Sequence, residues 1–234
     1  MDAINDDKIY NLYRSVSFGD GTYYGNKAGG LCQLNVPSLP SVAYAVDALV
    51  ALNKPQMFGS SACGICLRVN GTGQGLGLDP IQGSFTVYVK DLCPECKAGD
   101  VDFAKKADGR WDISIQAIQC PVSGHIEYTL QGSNDYYIKL QVRNDRVPTT
   151  TLFMYQHKKK IYVPLMRTRD GFWEFPKKDK RIEKPIRKPI KLRLHAPDRR
   201  YTLYDEITPS SMDFKGIIRG KGVQYPVNPN LPSA

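Results

Sequence analysis

Short apolar segments alternate with glycine-rich turns along residues 17–120. Two of these segments, residues 85–89 and 111–117, alternate apolar and polar positions strictly, as expected for strands that bury one face. Trp111 lies on the apolar face of the second segment and is therefore predicted to be a core residue. Short strands separated by glycine-rich turns are typical of a β-barrel or a β-sandwich.

The second half of the chain consists of short segments of β-branched and aromatic residues, separated by prolines and charged residues. They include residues 136–142, 150–155, 190–194 and 201–204. About eight such segments in roughly 100 residues predict a small β-sandwich. No apolar run approaches the roughly 20 residues of a membrane-spanning helix, so we expect a soluble protein without a membrane partner.

Three stretches give weaker patterns. Residues 1–16 are polar without a clear period, which predicts a flexible leader or an added strand, and residues 227–234 are predicted to be a loose tail. Residues 41–52 are either a helix capped by Ser41 or a buried strand, because periodicity does not distinguish the two. The first residues lack the basic and apolar start of an export signal, so a secreted form would have lost that signal.

Cysteine and charge are both distributed unevenly. All six cysteines lie in the first 120 residues. Residues 1–120 carry 10 Lys and Arg against 12 Asp and Glu, a net charge of −2, and residues 121–234 carry 22 against 11, a net charge of +11, which together give +9. We therefore predict a disulfide-stabilised domain over residues 17–120, a linker over 121–124 and a basic domain over 125–226.

The cysteines form the pattern Cys63-x-x-Cys66 and Cys93-x-x-Cys96, flanked by Cys32 and Cys120. Four thiolates at this spacing could bind a structural zinc ion, but two cysteines would remain unused and the short turns around each pair are missing. Disulfides are the favoured interpretation, with fifteen possible pairings, and no metal or other cofactor is expected. Positive charge alone is compatible with nucleic acid, but no nucleic-acid-binding motif accompanies it.

Carboxylates are concentrated in one segment. Asp91, Glu95, Asp100 and Asp102 lie within twelve residues, around a cysteine pair. Such a cluster is typical of a polar cleft that binds or transforms a ligand, or else of an acidic surface loop.

Three motifs, one of which contains this segment, form a pattern that resembles the expansin family. They are Gly21-Thr22-Tyr23-Tyr24-Gly25, Ala62-Cys63-Gly64-Ile65-Cys66 and, most specifically, the run from Thr86 to Asp102 that contains Asp91-Leu92-Cys93-Pro94-Glu95-Cys96. The similarity continues through Gln141-Val142-Arg143-Asn144 to Val223-Gln224-Tyr225-Pro226. It implies an all-β protein in which a six-stranded double-psi β-barrel, related to barwin-like proteins and inverting endoglucanases, precedes an immunoglobulin-like β-sandwich that binds cellulose.

The resemblance also implies a site on the barrel. Asp102 occupies the position of the endoglucanase general acid, with Asp91 beside it and with Thr22, Tyr24 and Glu95 in the groove. Inverting hydrolysis needs a second carboxylate roughly 6.5–9.5 Å from the acid. The stretch in which those hydrolases carry it is Gly25-Asn26-Lys27 here, and Asp20 precedes the motif. The expectation is a protein that loosens glucan without hydrolysing it.

On the sandwich, the resemblance implies a row of aromatic rings that contact the faces of cellulose sugars. Tyr136 and Tyr137 match two positions, and both can join one surface only at a bend or strand end, since neighbouring strand residues point to opposite faces. Trp173 is a candidate for the third ring, although it shares an apolar face with Phe175. The implied disulfides are Cys32–Cys63, Cys66–Cys120 and Cys93–Cys96.

The sequence thus predicts a secreted, monomeric cell-wall protein that binds cellulose and matrix polysaccharide such as xyloglucan or pectin. A weak inverting endoglucanase on the same fold, or a barwin-like carbohydrate-binding protein without loosening activity, are the alternatives.

Overall fold

The computed structural model describes residues 3–25 and 28–234. Its first half contains α1 (Ala3–Arg14), β1 (Ser17–Tyr23), a 3-10 helix (Ser41–Tyr44), β2 (Ala48–Asn53), α2 (Lys54–Met57), β3 (Cys66–Leu76), β4 (Gln82–Cys93), β5 (Val101–Phe103) and β6 (Arg110–Ile118). Its second half contains β7 (Glu127–Leu130), β8 (Lys139–Arg143), β9 (Thr151–Gln156), β10 (Ile161–Pro164), β11 (Met166–Arg167), β12 (Trp173–Glu174), β13 (Ile190–His195), β14 (Thr202–Ile207) and β15 (Ile218–Arg219).

Strands β1 to β6 close into a barrel in the order β1-β5-β2-β4-β3-β6. The pairs β1–β5 and β2–β4 are parallel, and the other four pairs are antiparallel. The strict alternation seen in the sequence places Val87, Val89 and Trp111 inside, where each is buried. The predicted six-stranded barrel and the core position of Trp111 are confirmed.

Strands β7 to β15 form two sheets, one in the order β10-β9-β13-β14 and the other in the order β11-β12-β8-β7-β15. Leu152 and Leu192 of the first sheet and Tyr128 and Leu140 of the second are completely buried. The all-β prediction, a barrel followed by a β-sandwich, is therefore confirmed. No helix in the described part of the chain is long and apolar enough to cross a membrane.

All six cysteines are paired, as Cys32–Cys63, Cys66–Cys120 and Cys93–Cys96. These are the pairs that the family resemblance implied, and the zinc alternative is wrong because no thiolate is left to bind a metal.

Both ends of the chain are more ordered than the sequence suggested. Residues 3–14 form α1 instead of a flexible leader or a strand, because Ile9 and Tyr13 are one turn apart and both are buried. Gln116 of β6 donates its side-chain N–H to the carbonyl of Tyr13 at 2.9 Å, and Asp6 pairs with Arg199 at 2.9 Å. The helix therefore contacts both domains.

The predicted loose tail is also wrong. Gln119, at the end of the barrel, donates its side-chain amide to the carbonyls of Asn228 and Leu231 and accepts the backbone N–H of Asn228 at 2.8 Å. Leu231 is buried. The polar composition of this segment concealed these long-range contacts. Residues 41–52, left open by the sequence, divide into the 3-10 helix and β2.

The sandwich contacts the barrel through one end of β8. Arg143 is 1% exposed and donates to the carbonyls of Leu34 and Val36, at 3.1 and 2.9 Å, and of Ser38. Asn144 follows with φ +59° and accepts the backbone N–H of Val42 at 3.2 Å. A buried guanidinium with several carbonyl partners holds the two surfaces in one register.

Candidate functional site

Four residues lie side by side across the outer face of the barrel. Thr22 of β1 is the register partner of Asp102 of β5, which is opposite Ala51 of β2, which is opposite Asp91 of β4. The strand neighbours of these residues point into the core, as shown by Val50 and Val101, which are completely buried. We call Thr22, Asp102, Ala51 and Asp91 the carboxylate row.

A β-bulge decides that Asp91 belongs to this row. Simple alternation would place Asp91 on the same side as Val87 and Val89, inside the barrel. The β2–β4 register passes from Val89 directly to Asp91, so that Lys90 is the extra residue and the carboxylate turns outward. Lys90 itself is buried, and burial lowers its pKa despite the neighbouring Asp91.

Both carboxylates of the row are held by hydrogen bonds. The hydroxyl of Thr22 donates to Asp102 Oδ1 at 2.8 Å. Asp91 Oδ1 accepts the backbone N–H of Leu31 at 2.7 Å and that of Leu92 at 2.8 Å. Gly30 allows this approach, since a Cβ there would lie 2.6 Å from the Lys90 carbonyl and its φ is +136°. The side chains therefore have fixed positions before any ligand binds.

Tyr24 directly follows β1, and its hydroxyl is close enough to both carboxylates for their charges to act on it. Burial raises the pKa of its hydroxyl, and the negative charges of Asp91 and Asp102 raise it further. Its Oη is buried and has no hydrogen-bond partner among the residues that the structure describes. The phenol therefore stays neutral at ordinary pH and keeps a donor near the row.

The other acidic residues do not join the row. Asp100 is buried and has a structural role, since its carboxylate accepts the backbone N–H groups of Asp20 at 2.9 Å and of Lys97 at 2.8 Å. Glu95 lies exposed on the loop closed by Cys93–Cys96. The predicted carboxylate cluster is thus divided, with Asp91 and Asp102 brought together.

Asp20 is the remaining carboxylate that the sequence raised as a possible base. It lies two residues before Thr22 on the same face of β1, and its Oδ2 accepts a hydrogen bond from Arg110 at 2.6 Å. Asn26 and Lys27, in the stretch without the expected base, lie outside the described residues.

Tyr136 and Tyr137 lie in a turn before β8. The backbone N–H of Tyr137 bonds to the carbonyl of Asn134 at 3.2 Å, so the pair meets the condition of a bend. Tyr136 is 58% exposed. Tyr137 is half-buried and donates to Glu174 Oε2 at 2.9 Å; burial first and this carboxylate second raise the pKa of Tyr137 to about 12.

The expectation for Trp173 is wrong. Its side chain is 1% exposed and lies in the sandwich core, with the Arg167 guanidinium 5.1 Å from the ring centre. Trp173 pairs with the buried Leu140, and its shared face with Phe175 was the signal of a core position. Trp173 therefore has no ring face available to a sugar.

One loop connects the carboxylate row to the sandwich. Leu31 donates to Asp91, and the carbonyl of the next residue, Cys32, accepts the side-chain amide of Gln141 at 2.7 Å. Gln141 lies on β8, which begins two residues after Tyr137. We call the turn that carries Tyr136 and Tyr137 the tyrosine turn. The loop through Leu31 and Cys32 thus connects the carboxylate row to the strand that follows this turn.

Sequence reasoning missed three residues that build the row. Ala51 is the small residue between the two carboxylates, Lys90 forms the bulge, and Gly30 admits the loop that binds Asp91. The pair Gly29-Gly30 was a usable signal for a turn at Gly30. The other two depend on which strands are neighbours.

Comparisons with known proteins agree with this architecture. No family model matches the chain. A curated relative, Expansin-YoaJ of Bacillus subtilis (strain 168), is 32% identical over 85 residues, which are 32% of this chain and 37% of the relative. The matched segment therefore spans little more than a third of that relative's length.

Two crystal structures of an expansin from Clavibacter michiganensis are similar over the whole fold. The structure without ligand has a TM-score of 0.71, 23% identity, and covers 92% of this chain and 100% of its own. A mutant of the same protein in complex with cellohexaose has a TM-score of 0.71 and 22% identity over the same shares. In its two-domain fold the chain is similar to the Clavibacter expansin, and in a stretch of its sequence it is similar to Expansin-YoaJ, which agrees with the resemblance that its motifs carry.

Proposed function

We propose that this protein loosens cell-wall polysaccharide without hydrolysing it, by binding glucan at the carboxylate row and cellulose at the tyrosine turn. The observation that supports this most directly is the row itself. Asp102 and Asp91 present fixed carboxylate acceptors on an outer face of the barrel, with Thr22 bonded to the first and Tyr24 close enough to feel both charges. Sugar hydroxyls are both donors and acceptors, so they match this arrangement.

The proposed mechanism is an exchange of hydrogen bonds. A glucan chain in a microfibril bonds to its neighbours through hydroxyl groups, and the row offers carboxylate acceptors that bond more strongly than neutral groups. Replacing one hydrogen bond by another changes the net free energy little, because each hydrogen bond contributes a net stabilisation of only about 0.5–1.5 kcal/mol in water. Chains under load can then slip, and no cofactor or energy source is required.

The tyrosine turn holds the protein on its substrate. The exposed ring of Tyr136 offers a flat apolar surface to the C–H face of a sugar, and Tyr137 contributes its half-buried ring beside it. The loop through Leu31 and Cys32, which bonds to Asp91 at one residue and to Gln141 at the next, keeps the tyrosine turn at a fixed distance from the carboxylate row.

The basic sandwich adds retention in an anionic matrix such as pectin. Residues 121–234 carry a net charge of +11, and Lys158, Lys159 and Lys160 are exposed. Salt screens such charges over about 8–10 Å, so this contribution weakens with ionic strength. Three disulfides suit an oxidising compartment, and we assign the protein to the extracellular wall, where it acts as a monomer.

The decisive experiment measures extension of heat-inactivated plant wall strips under constant load, with release of reducing sugar assayed in the same bath. The wild type should cause extension without sugar release. Asp102→Ala should abolish extension and keep cellulose binding, because the tyrosine turn is intact. Replacing Tyr136 and Tyr137 together by alanine should abolish cellulose binding.

Asp7→Ala is the matched control, since Asp7 is an exposed carboxylate on α1. Full extension by the Asp102 variant would contradict the assignment. Cellulose binding by the wild type without any extension would favour a binding module that lacks loosening activity.

A weak inverting endoglucanase is the second candidate, and the position of Asp20 favours keeping it. Asp20 lies on the same strand face as Thr22, about 7 Å along the strand, but its carboxylate is paired with Arg110. Sugar release that tracks extension and disappears in both Asp20→Asn and Asp102→Asn would establish hydrolysis.

A further inference from the structure

The outer face of β1 begins with an exposed aromatic ring. Phe18 is 79% exposed, and by strand alternation it lies on the same face as Asp20 and Thr22. The opposite face points inward, since a Cβ on Gly21 would lie 2.3 Å from the buried Ile81. Phe18 is therefore four residues, about 13 Å, from the carboxylate row along one continuous strand face.

Polar side chains surround this ring on the neighbouring strands. Phe18 is the register partner of Ser114 of β6, and Ser114 is the register partner of Asn70 of β3, so these three side chains form a second row. Asp112 lies one step further along β6, and Thr72 donates to its carbonyl at 3.3 Å. Phe18, Asn70, Thr72, Asp112 and Ser114 line a shallow depression on the barrel surface.

The chemistry of this depression is that of a sugar subsite. A single exposed apolar side chain is ordinary on a protein surface. Here the ring is flanked by a hydroxyl, an amide and a carboxylate, which can bond to the hydroxyls around a sugar whose C–H face covers the ring. Asn70, Thr72 and Asp112 are all exposed.

The charges nearby select a neutral sugar over an acidic one. Asp112 is an exposed carboxylate, and Arg110 is engaged with Asp20 at 2.6 Å. Residues 1–120 have a net charge of −2, whereas the positive charge lies in the second half of the chain. An anionic chain would meet repulsion from Asp112.

We propose that Phe18, with Ser114, Asn70 and Asp112, forms a further subsite that binds a neutral glucan extending along β1 from the carboxylate row. The inference rests on the proposed function, because the same chain must occupy the row. It adds length to the binding surface, so it acts only on oligosaccharides long enough to span both places.

Amide chemical shifts of the full chain test both ideas separately. Cellohexaose should shift the amides of Thr22 and Asp102 and also those of Phe18 and Ser114, whereas cellotriose should shift the first pair only. A hexamer of galacturonate should leave Phe18 and Ser114 unshifted.

Phe18→Ala should weaken cellohexaose binding by about fivefold, the loss of one aromatic contact, and leave cellotriose binding unchanged. Phe18→Tyr should restore it. Leu78→Ala is the matched control, because Leu78 is an equally exposed apolar side chain, 85% exposed, outside the depression. Neither position is buried, so the variants should fold normally.

Shifts at Thr22 and Asp102 without shifts at Phe18 would overturn the subsite and leave the proposed function standing. An unchanged cellohexaose affinity in Phe18→Ala, or equal weakening by Leu78→Ala, would also overturn it. Cellohexaose that shifts neither region would refute both proposals.

Discussion

Arg143 offers the sharpest test of how the two domains are joined. Its guanidinium leaves β8 of the sandwich and donates to the carbonyls of Leu34, Val36 and Ser38 in the barrel domain. The side chain is 1% exposed, and burial lowers its pKa from the usual value of arginine. We consider Arg143→Met, which keeps most of the apolar volume and removes the donors.

The expected loss of stability in Arg143→Met follows from opposing contributions to the free energy of unfolding. Each hydrogen bond from a charged donor contributes about 1.5–3 kcal/mol, while removing a guanidinium from water costs several kcal/mol. The intact arrangement is therefore only modestly favourable. Methionine, however, leaves three carbonyls without their donor. Because each acceptor left without a partner costs about 1–3 kcal/mol, and water can reach those nearest the surface, we expect a loss of about 3–5 kcal/mol. For a chain of this size that loss lowers Tm by about 6–20 °C.

Thermal unfolding followed by circular dichroism measures the change, and small-angle scattering reports whether the domains separate before they unfold. Arg219→Met is the matched control, since Arg219 is exposed on β15 of the same sheet and its loss should change stability by no more than about 0.5 kcal/mol. A Tm for Arg143→Met within 2 °C of the control, about the smallest shift expected from 1 kcal/mol, would refute the reasoning.

Two other predictions concern crosslinks and a tyrosine. Removing Cys66–Cys120, which closes 54 residues, should destabilise by about 4 kcal/mol, and removing Cys93–Cys96, which closes 3, by about 2 kcal/mol; equal losses in urea unfolding would contradict the loop-length argument. Glu174→Gln should lower the pKa of Tyr137 from about 12 toward its ordinary value, visible in the ultraviolet absorbance of tyrosinate. Because that pKa is raised in the fold, its stabilising contribution is present below about pH 10 and disappears as pH rises through about 12. An unchanged titration would exclude the hydrogen bond to Glu174 as a cause.

The two ends of the chain show where sequence patterns stop being informative. Among the described side chains of α1, Ile9 and Tyr13 are the buried apolar positions, and so short a pattern is hard to recognise among polar residues. The tail is held by Gln119, more than a hundred residues away along the chain. Neither local period nor composition contains the identity of a distant partner.

The candidate site also combines residues that the sequence predicted with positions that only the tertiary structure shows. Asp91 and Asp102 belong to the carboxylate cluster that the sequence shows, and the resemblance of the motifs to the expansin family pointed to both of them and to Thr22. Alternation alone would nevertheless have buried Asp91 beside Val89. Trp173 shows the opposite error. Its aromatic ring was expected on the sugar-binding surface, but it packs in the sandwich core.

Local chemistry thus determined the β-strand content, the concentration of cysteines in the first 120 residues, the uneven charge and the types of residue at the site, all of which depend on neighbours in the chain. Only the tertiary structure decided that β5 lies between β1 and β2, which brings Thr22 to Asp102 and Asp102 to the residue opposite Asp91. The strand order and the bulge at Lys90 depend on closing the barrel, and the buried contacts of Arg143 depend on packing the sandwich against it. These features are stabilised by contacts between residues far apart in the chain, so no short segment of sequence predicts them.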